Sequence, residues 1–172
     1  MFMAASNSSV VLFHPNGQLR LDLFVETAAT AVRESVRFAR DTRWESVRSP
    51  HLFMGVLAVG DEMICDWCDR LGANRSRLLE QFREIFRESC VCPPPPLRLH
   101  REFISDNALR VLRAAYQRCQ TQQRGQTSTT DLLICVLTTP HSVVADCFAH
   151  IGVPARQLTE LAVLSEQSTR VC

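Results

Sequence analysis

Sliding the chain against itself by 80 positions aligns Phe24–Ile85 with Ile104–Ser165 without a gap. An internal repeat of this length constrains the fold before any local propensity is weighed, because each copy must bury the same faces. Identical pairs include Ala28/Ala108, Arg33/Arg113, Leu52/Leu132, Val56/Val136, Leu57/Leu137, Asp66/Asp146, Gly72/Gly152 and Leu78/Leu158, while Phe24/Ile104, Val32/Leu112 and Leu71/Ile151 keep apolar character.

Within the first unit Phe24, Ala28, Ala31, Val32, Ser35, Val36 and Ala39 recur at three- and four-residue spacing, opposite Glu26, Arg33, Glu34, Arg37 and Arg40. That periodicity predicts an amphipathic helix. Its counterpart carries Ile104, Ala108, Val111, Leu112, Ala115, Tyr116 and Cys119. His51–Ala58 and Asp131–Leu137 are apolar nearly all round, which predicts a short buried helix in each unit. Ser49, with Pro50 at the first helical position, and Thr129 are the expected caps. A third helix is expected to end near Gly72 and Gly152, where glycine accepts a left-handed backbone. A fourth follows, striped by Leu78, Leu79, Phe82, Ile85 and Phe86 in one unit and by Leu158, Leu161, Ala162 and Leu164 in the other.

Cys90–His100, with its run Pro93–Pro96, cannot continue a helix and is expected to be a spacer. Ahead of the repeats, Asn16-Gly17 is a two-residue turn signal, and Leu19, Leu21 and Leu23 alternate with polar residues, which predicts a β-hairpin over Val10–Leu23. The expected organisation is an extension over 1–22, one repeat over 23–89, a Pro-rich linker over 90–102, a second repeat over 103–165 and a polar tail over 166–172. The expected fold class is all-α, two tandem four-helix repeats with a short N-terminal β-hairpin.

At 172 residues and 46% hydrophobic the chain can bury a substantial core. Its 19 basic and 18 acidic residues are mixed along the sequence, so no basic face is offered to nucleic acid or an anionic membrane. Every basic residue is arginine, which rules out a Schiff-base lysine and a phosphate-loop lysine. Residues 1–10 have no basic region, and Val10–Phe13 is far too short for the core of a signal peptide. No apolar run is long enough to span a bilayer, and a cytoplasmic protein without membrane contact is expected. The eight cysteines sit inside apolar runs, a distribution that suits buried free thiols rather than a disulfide framework.

Duplicated units with a leading amphipathic helix, a capped buried helix and a glycine turn resemble the double Clp repeat, the N-terminal domain of Clp-family chaperone ATPases. The resemblance covers about Leu23 to Leu164. It rests on Ser49-Pro50-His51-Leu52-Phe53 and Thr129-Thr130-Asp131-Leu132-Leu133, which stand where the family shows T-E-H-L-L. It rests also on the turns Leu71-Gly72-Ala73-Asn74 and Ile151-Gly152-Val153-Pro154. The resemblance implies a module that docks adaptors or unfolded substrates for an attached ring ATPase, with a Clp-family ATPase or peptidase, adaptors or substrate proteins as partners. The sequence has no phosphate-binding loop of its own, and a freestanding relative is favoured over an excised domain. Pro50 and Thr130 replace the glutamates that family members recognising phosphorylated arginine are thought to use, so that activity is not implied.

Candidate chemistry is sparse. Cys65-Asp66-Trp67-Cys68 has redox-motif spacing but falls inside a predicted helix, and Cys68 aligns with Phe148, a core-type position. Cys65, Cys68, Cys90 and Cys92 would supply the ligand count of a zinc site, but C-x-C beside a tetraproline is an unusual frame for one. His51 begins a buried helix, and His14, His100, His141 and His150 have no nucleophile in any recognisable motif. No enzyme activity, cofactor or metal is expected. Trp44 lies in the polar connection Asp41–Arg48, where the repeat asks for no aromatic. Trp44 with Arg43 and Arg48 is the candidate partner-binding site, weighed against a tryptophan that only caps the adjacent core. Three functions remain open: a receptor for adaptors or substrates of a Clp-type machine, an accessory subunit on the Clp proteolytic core, and a thiol or zinc protein.

Overall fold

The computed structural model describes residues 12–88 and 96–170. Among them are eight α-helices in two sets of four: α1 (Glu26–Asp41), α2 (Ser49–Val59), α3 (Glu62–Leu71) and α4 (Arg75–Ile85), then α5 (Asp106–Thr121), α6 (Thr129–Thr138), α7 (Val143–His150) and α8 (Ala155–Arg170). The starts of α1 and α5, and of α2 and α6, are 80 residues apart, as are the 3-10 turns Leu21–Leu23 and Arg101–Phe103 that precede α1 and α5. The repeat is therefore one of geometry as well as sequence.

The two apolar helices form the centre. α2 is buried from Ser49 to Leu57 and α6 from Thr129 to Leu137, and they pack on each other across the repeat boundary. α1 lies against α2 at very close range: a Cβ added at Gly55 would stand 2.1 Å from the Ala31 carbonyl oxygen. Phe53, Trp67, Phe82 and Phe148 meet in one aromatic cluster that joins both repeats, with Phe53 and Phe82 centroids 4.7 Å apart.

Helix starts differ from expectation by one residue. Arg48 and Ser128, not Ser49 and Thr129, are the capping positions. At Ser128 the hydroxyl accepts from the Asp131 N–H while the Asp131 carboxylate accepts from the Ser128 N–H, a reciprocal capping box. At the other ends Gly72 (φ +71) caps α3 and Gly152 (φ +86) follows α7, both in the left-handed region, as their positions in the sequence predict.

Three further expectations are corrected. Asn16-Gly17 does turn the chain, and one antiparallel bridge, Phe13 to Leu19, closes the turn, but no β-strand forms among the described residues. The Leu19 N–H donates to Leu99 O (3.0 Å) and Gln18 bridges to His100, so the second arm pairs with the segment before α5, and Leu21–Leu23 coils instead of extending. Val10 and Val11, the start of the expected hairpin, lie outside the described residues. In α4 only Leu78 and Phe82 of the expected stripe are buried, and Ile85 is 61% exposed. The polar tail is helical as far as Arg170, because Ser165 is buried, Glu166 pairs with Arg118 and Ser168 accepts from Arg70.

Candidate functional site at the seam between the repeats

The repeats exchange backbone contacts by a swapped pattern. The Val25 N–H donates to Thr127 O (2.9 Å) and the Thr127 N–H to Leu23 O (2.8 Å). Eighty residues on, the same bonds recur with the roles of the repeats exchanged: the Ser105 N–H donates to Val47 O (2.9 Å) and the Val47 N–H to Phe103 O (2.7 Å). Beside each crossing the start of the buried helix of one repeat faces the start of the leading helix of the other. Each crossing opens a pocket of about 470 Å³.

The first pocket is lined by Trp44, Arg48, Pro50, His51 and Phe86 from repeat one, and by Ser105, Asp106, Asn107 and Arg110 at the start of α5. Trp44 is half-buried; its indole N–H donates to Phe86 O (2.5 Å) and its ring carries the Arg48 guanidinium at 4.2 Å from the centroid. His51 is buried behind it. Its Nδ1 accepts the Arg48 N–H (2.9 Å), which leaves the ring proton on Nε2, and Nε2–H donates to Thr42 Oγ1 (3.0 Å). Thr42 in turn donates to Phe38 O (2.6 Å). Burial, with the Arg48 charge added, lowers the His51 pKa to about 3, so this histidine is a neutral structural link and not a base at neutral pH. Neither Arg48 nor Arg110 has a carboxylate partner among the described residues.

The second pocket is lined by Val25 and Met63 from repeat one, and by Arg124, Ser128, Thr130, Glu166, Thr169 and Arg170. Here an ion network replaces the aromatic one. Phe38, Trp44, His51 and Phe86 become Arg118, Arg124, Asp131 and Glu166 when 80 is added to each number. Asp131, fully buried, accepts from Arg118 Nη1 (2.5 Å) and from both Arg124 terminal nitrogens (2.5 and 2.7 Å). Glu166 accepts from Arg118 (2.8 Å) and Arg170 (2.7 Å). Burial alone would push Asp131 up, but bonds from Arg124, the Ser128 N–H and Arg118 outweigh it and hold the carboxylate below its ordinary range.

Of the candidate residues, Trp44 and Arg48 line the first pocket together. Arg43 is not in its lining; it is exposed and takes a left-handed turn (φ +66), as its equivalent Gln123 does (φ +54). Arg110, on the opposite repeat, is the lining residue that sequence reading missed, and the seam pairing of the repeats, invisible in the alignment, is what brings it there. Pro50 and Thr130 line the first and second pockets respectively. The thiols lie elsewhere. Cys68 and Cys135 are buried and their pKa values are pushed up to about 12, chiefly by burial, which suppresses thiolate chemistry. The described residues contain no group of three or more potential metal ligands, and Cys90 and Cys92 lie outside them.

This is the architecture of a two-repeat, all-helical domain in which both seam pockets are shared between the repeats. The solved structures it matches include N-terminal domains of Clp-type ATPases. The Hsp104 N-terminal domain from Candida albicans superposes with a TM-score of 0.66 at 15% identity, over 81% of this chain and 89% of that one. The N-terminal domain of the caseinolytic protease associated chaperone ClpD from Arabidopsis thaliana gives 0.66 at 17%, over 88% and 99%. The ClpV1 ATPase N-terminal domain from E. coli gives 0.62 at 15%, over 86% and 88%. No protein-family model and no curated protein matches the sequence. The chain has the double Clp N-terminal fold.

Proposed function

We propose that this chain is a non-catalytic protein-binding module that recruits adaptors or substrates to a Clp-type chaperone or protease, and that the two seam pockets are its recognition sites. The observation that supports this is the pair of equivalent pockets, each assembled from both repeats, on a fold shared with Clp ATPase N-terminal domains. The pockets have diverged. The second is stiffened by its ion network, whereas the first presents an aromatic face and two arginines without carboxylate partners, a combination suited to gripping a polypeptide that carries acidic groups.

The test is crosslinked capture from lysate of the source organism with the whole chain as bait, run beside Arg48→Glu and Arg110→Glu variants. Recovery of a Clp ATPase, a Clp peptidase or their clients, reduced about tenfold or more by either variant, is the expected result. Peptidase without ATPase would favour a subunit that sits on the proteolytic core. Repeated recovery of neither would end the functional reading while leaving the fold untouched.

A further inference from the structure

The correspondence between the repeats runs on behind the leading helices. Leu19 and Leu99 stand 80 positions apart and pair directly, the Leu19 N–H donating to Leu99 O (3.0 Å). The two flanks of this pairing are repeat equivalents, one bordered by α1 and the other by α5, and they differ at a wall position. Val36 of α1 lines the first flank, and its equivalent on α5 is Tyr116. The Tyr116 ring is partly buried against the core, with its phenol within electrostatic reach of the Arg20 guanidinium. Arg20 is the equivalent of His100, which stands with Val36 in the lining of the first flank. A phenol ring therefore occupies on one side the space that is open on the other.

With valine in that place a pocket of about 500 Å³ opens, within the roughly 300–1,000 Å³ of small-ligand sites. Leu19 and Val36, both buried, floor it together with Leu99. One wall is fixed: the His100 Nε2–H donates to Asn16 O (2.8 Å), and the ring lies so close over Gly17 (φ +86) that a Cβ there would stand 2.4 Å from Nε2. Among the described residues the lining contains no carboxylate, and Arg33 and Arg98 stand on its rim. Arg33 meets Glu26 (3.1 Å) and Arg98 meets Glu102 (3.4 Å), both glutamates lying outside the lining and both pairs exposed to solvent. Exposed pairs of this kind contribute little, and each guanidinium keeps further N–H donors for a ligand anion.

We propose that this pocket binds an aromatic ring bearing a carboxylate, with the ring seated on Leu19, Val36 and Leu99 and the carboxylate held by Arg33 and Arg98. The ring follows from the repeat, because the molecule itself places a phenol in the equivalent space. The anion follows from the rim, whose two arginines carry charge of one sign. A free aromatic acid and the C-terminal aromatic residue of another chain present the same chemistry. The pocket shares no lining residue with the seam pockets and does not depend on the function proposed for them.

The probe is N-acetyltyrosine, titrated into the whole chain while the methyl signals of Leu19, Val36 and Leu99 are followed by NMR. The expected result is saturable movement of these signals with a Kd of about 1 mM or tighter. N-acetyltyrosine amide, which lacks the carboxylate, should bind about tenfold or more weakly, and so should the acid to Arg33→Gln and to Arg98→Gln. Both arginines are exposed, so these variants should fold, which a matching far-UV spectrum and melting profile would establish. Val36→Tyr, which fills the pocket as Tyr116 fills its equivalent, should abolish binding, and Arg48→Glu should leave it unchanged. A pentapeptide ending in tyrosine that binds about tenfold tighter than N-acetyltyrosine makes a chain end the source, and equal binding makes it a small acid; either result sustains the proposal. No movement at about 10 mM probe, equal binding of acid and amide, or binding undiminished in both arginine variants overturns it. So does a pocket that takes the probe only after residues 1–11 are removed, which would make the chain its own occupant.

Discussion

His51 and Asp131 occupy the same position of the two repeats and close the same helix start by different chemistry. One is a neutral ring accepting a backbone N–H at Nδ1, the other a buried carboxylate accepting a backbone N–H, a hydroxyl and two guanidinium groups. Both satisfy a donor that the turn leaves free. Their surroundings have followed: aromatic about His51, ionic about Asp131.

The His51 ring makes the protein acid-labile in a defined window. Its pKa falls from 6.5 to about 3 on folding, so the unfolded chain binds a proton that the folded one refuses. The stabilisation is complete above pH 6.5 and declines as pH drops towards 3, by at most about 1.4 kcal/mol per pH unit. Urea midpoints measured between pH 7 and about 5.5, above most of the range in which carboxylates titrate, should fall for the native sequence more steeply than for His51→Gln. Parallel slopes would show that the ring is not the responsible group.

Asp131→Asn should be costly, because it leaves Arg118 and Arg124 facing a neutral group in a buried site. A loss of about 3 kcal/mol or more is expected in chemical denaturation. Glu166→Gln, nearer the surface, should cost less. Equal small losses would mean that solvent reaches the network freely.

The two tryptophans should separate spectroscopically. Trp67 is fully buried and bonded to Leu158 O, so its emission should be blue-shifted and insensitive to quenchers; Trp44, half-buried under Arg48, should be quenchable. Trp44→Phe removes the N–H donated to Phe86 O and should cost about 1 kcal/mol, measured by thermal or urea unfolding. A cost near zero would place that indole N–H in solvent.

Gly55→Ala should destabilise by about 3 kcal/mol, because the new methyl meets the Ala31 carbonyl unless α1 moves off α2. Gly125→Ala, where nothing lies near the added carbon, is the control and should be close to neutral. The pair is read by comparing unfolding midpoints.

Thiol labelling with mass-spectrometric mapping should find Cys68, Cys119 and Cys135 unreactive until the protein is denatured, since all three are buried and burial raises their pKa values. Cys147, half-buried, should react earlier. Rapid labelling of Cys68 in native buffer would mean that α3 opens readily.

The sequence by itself determined the repeat, the eight helices, the burial of α2 and α6 and the glycine stops. These follow from periodicity and local backbone preference, which act within a few residues. Tertiary structure decided the rest. The Asn16-Gly17 turn was legible, but whether its arms pair with each other or with Leu99 and His100 depends on a competition for backbone partners far along the chain. Ile85 fits the apolar stripe of α4, yet it is 61% exposed, because burial of a stripe position depends on which neighbouring helix lies over it and not on the periodicity of its own helix. Trp44 and Arg48 could be picked out as neighbours in the chain, but Arg110 reaches the same pocket only because the repeats meet in a swapped arrangement. Alignment reports which positions are equivalent within a repeat; it carries no information on which non-equivalent positions face each other across the seam, since that is set by packing between units and not by the chain inside either one.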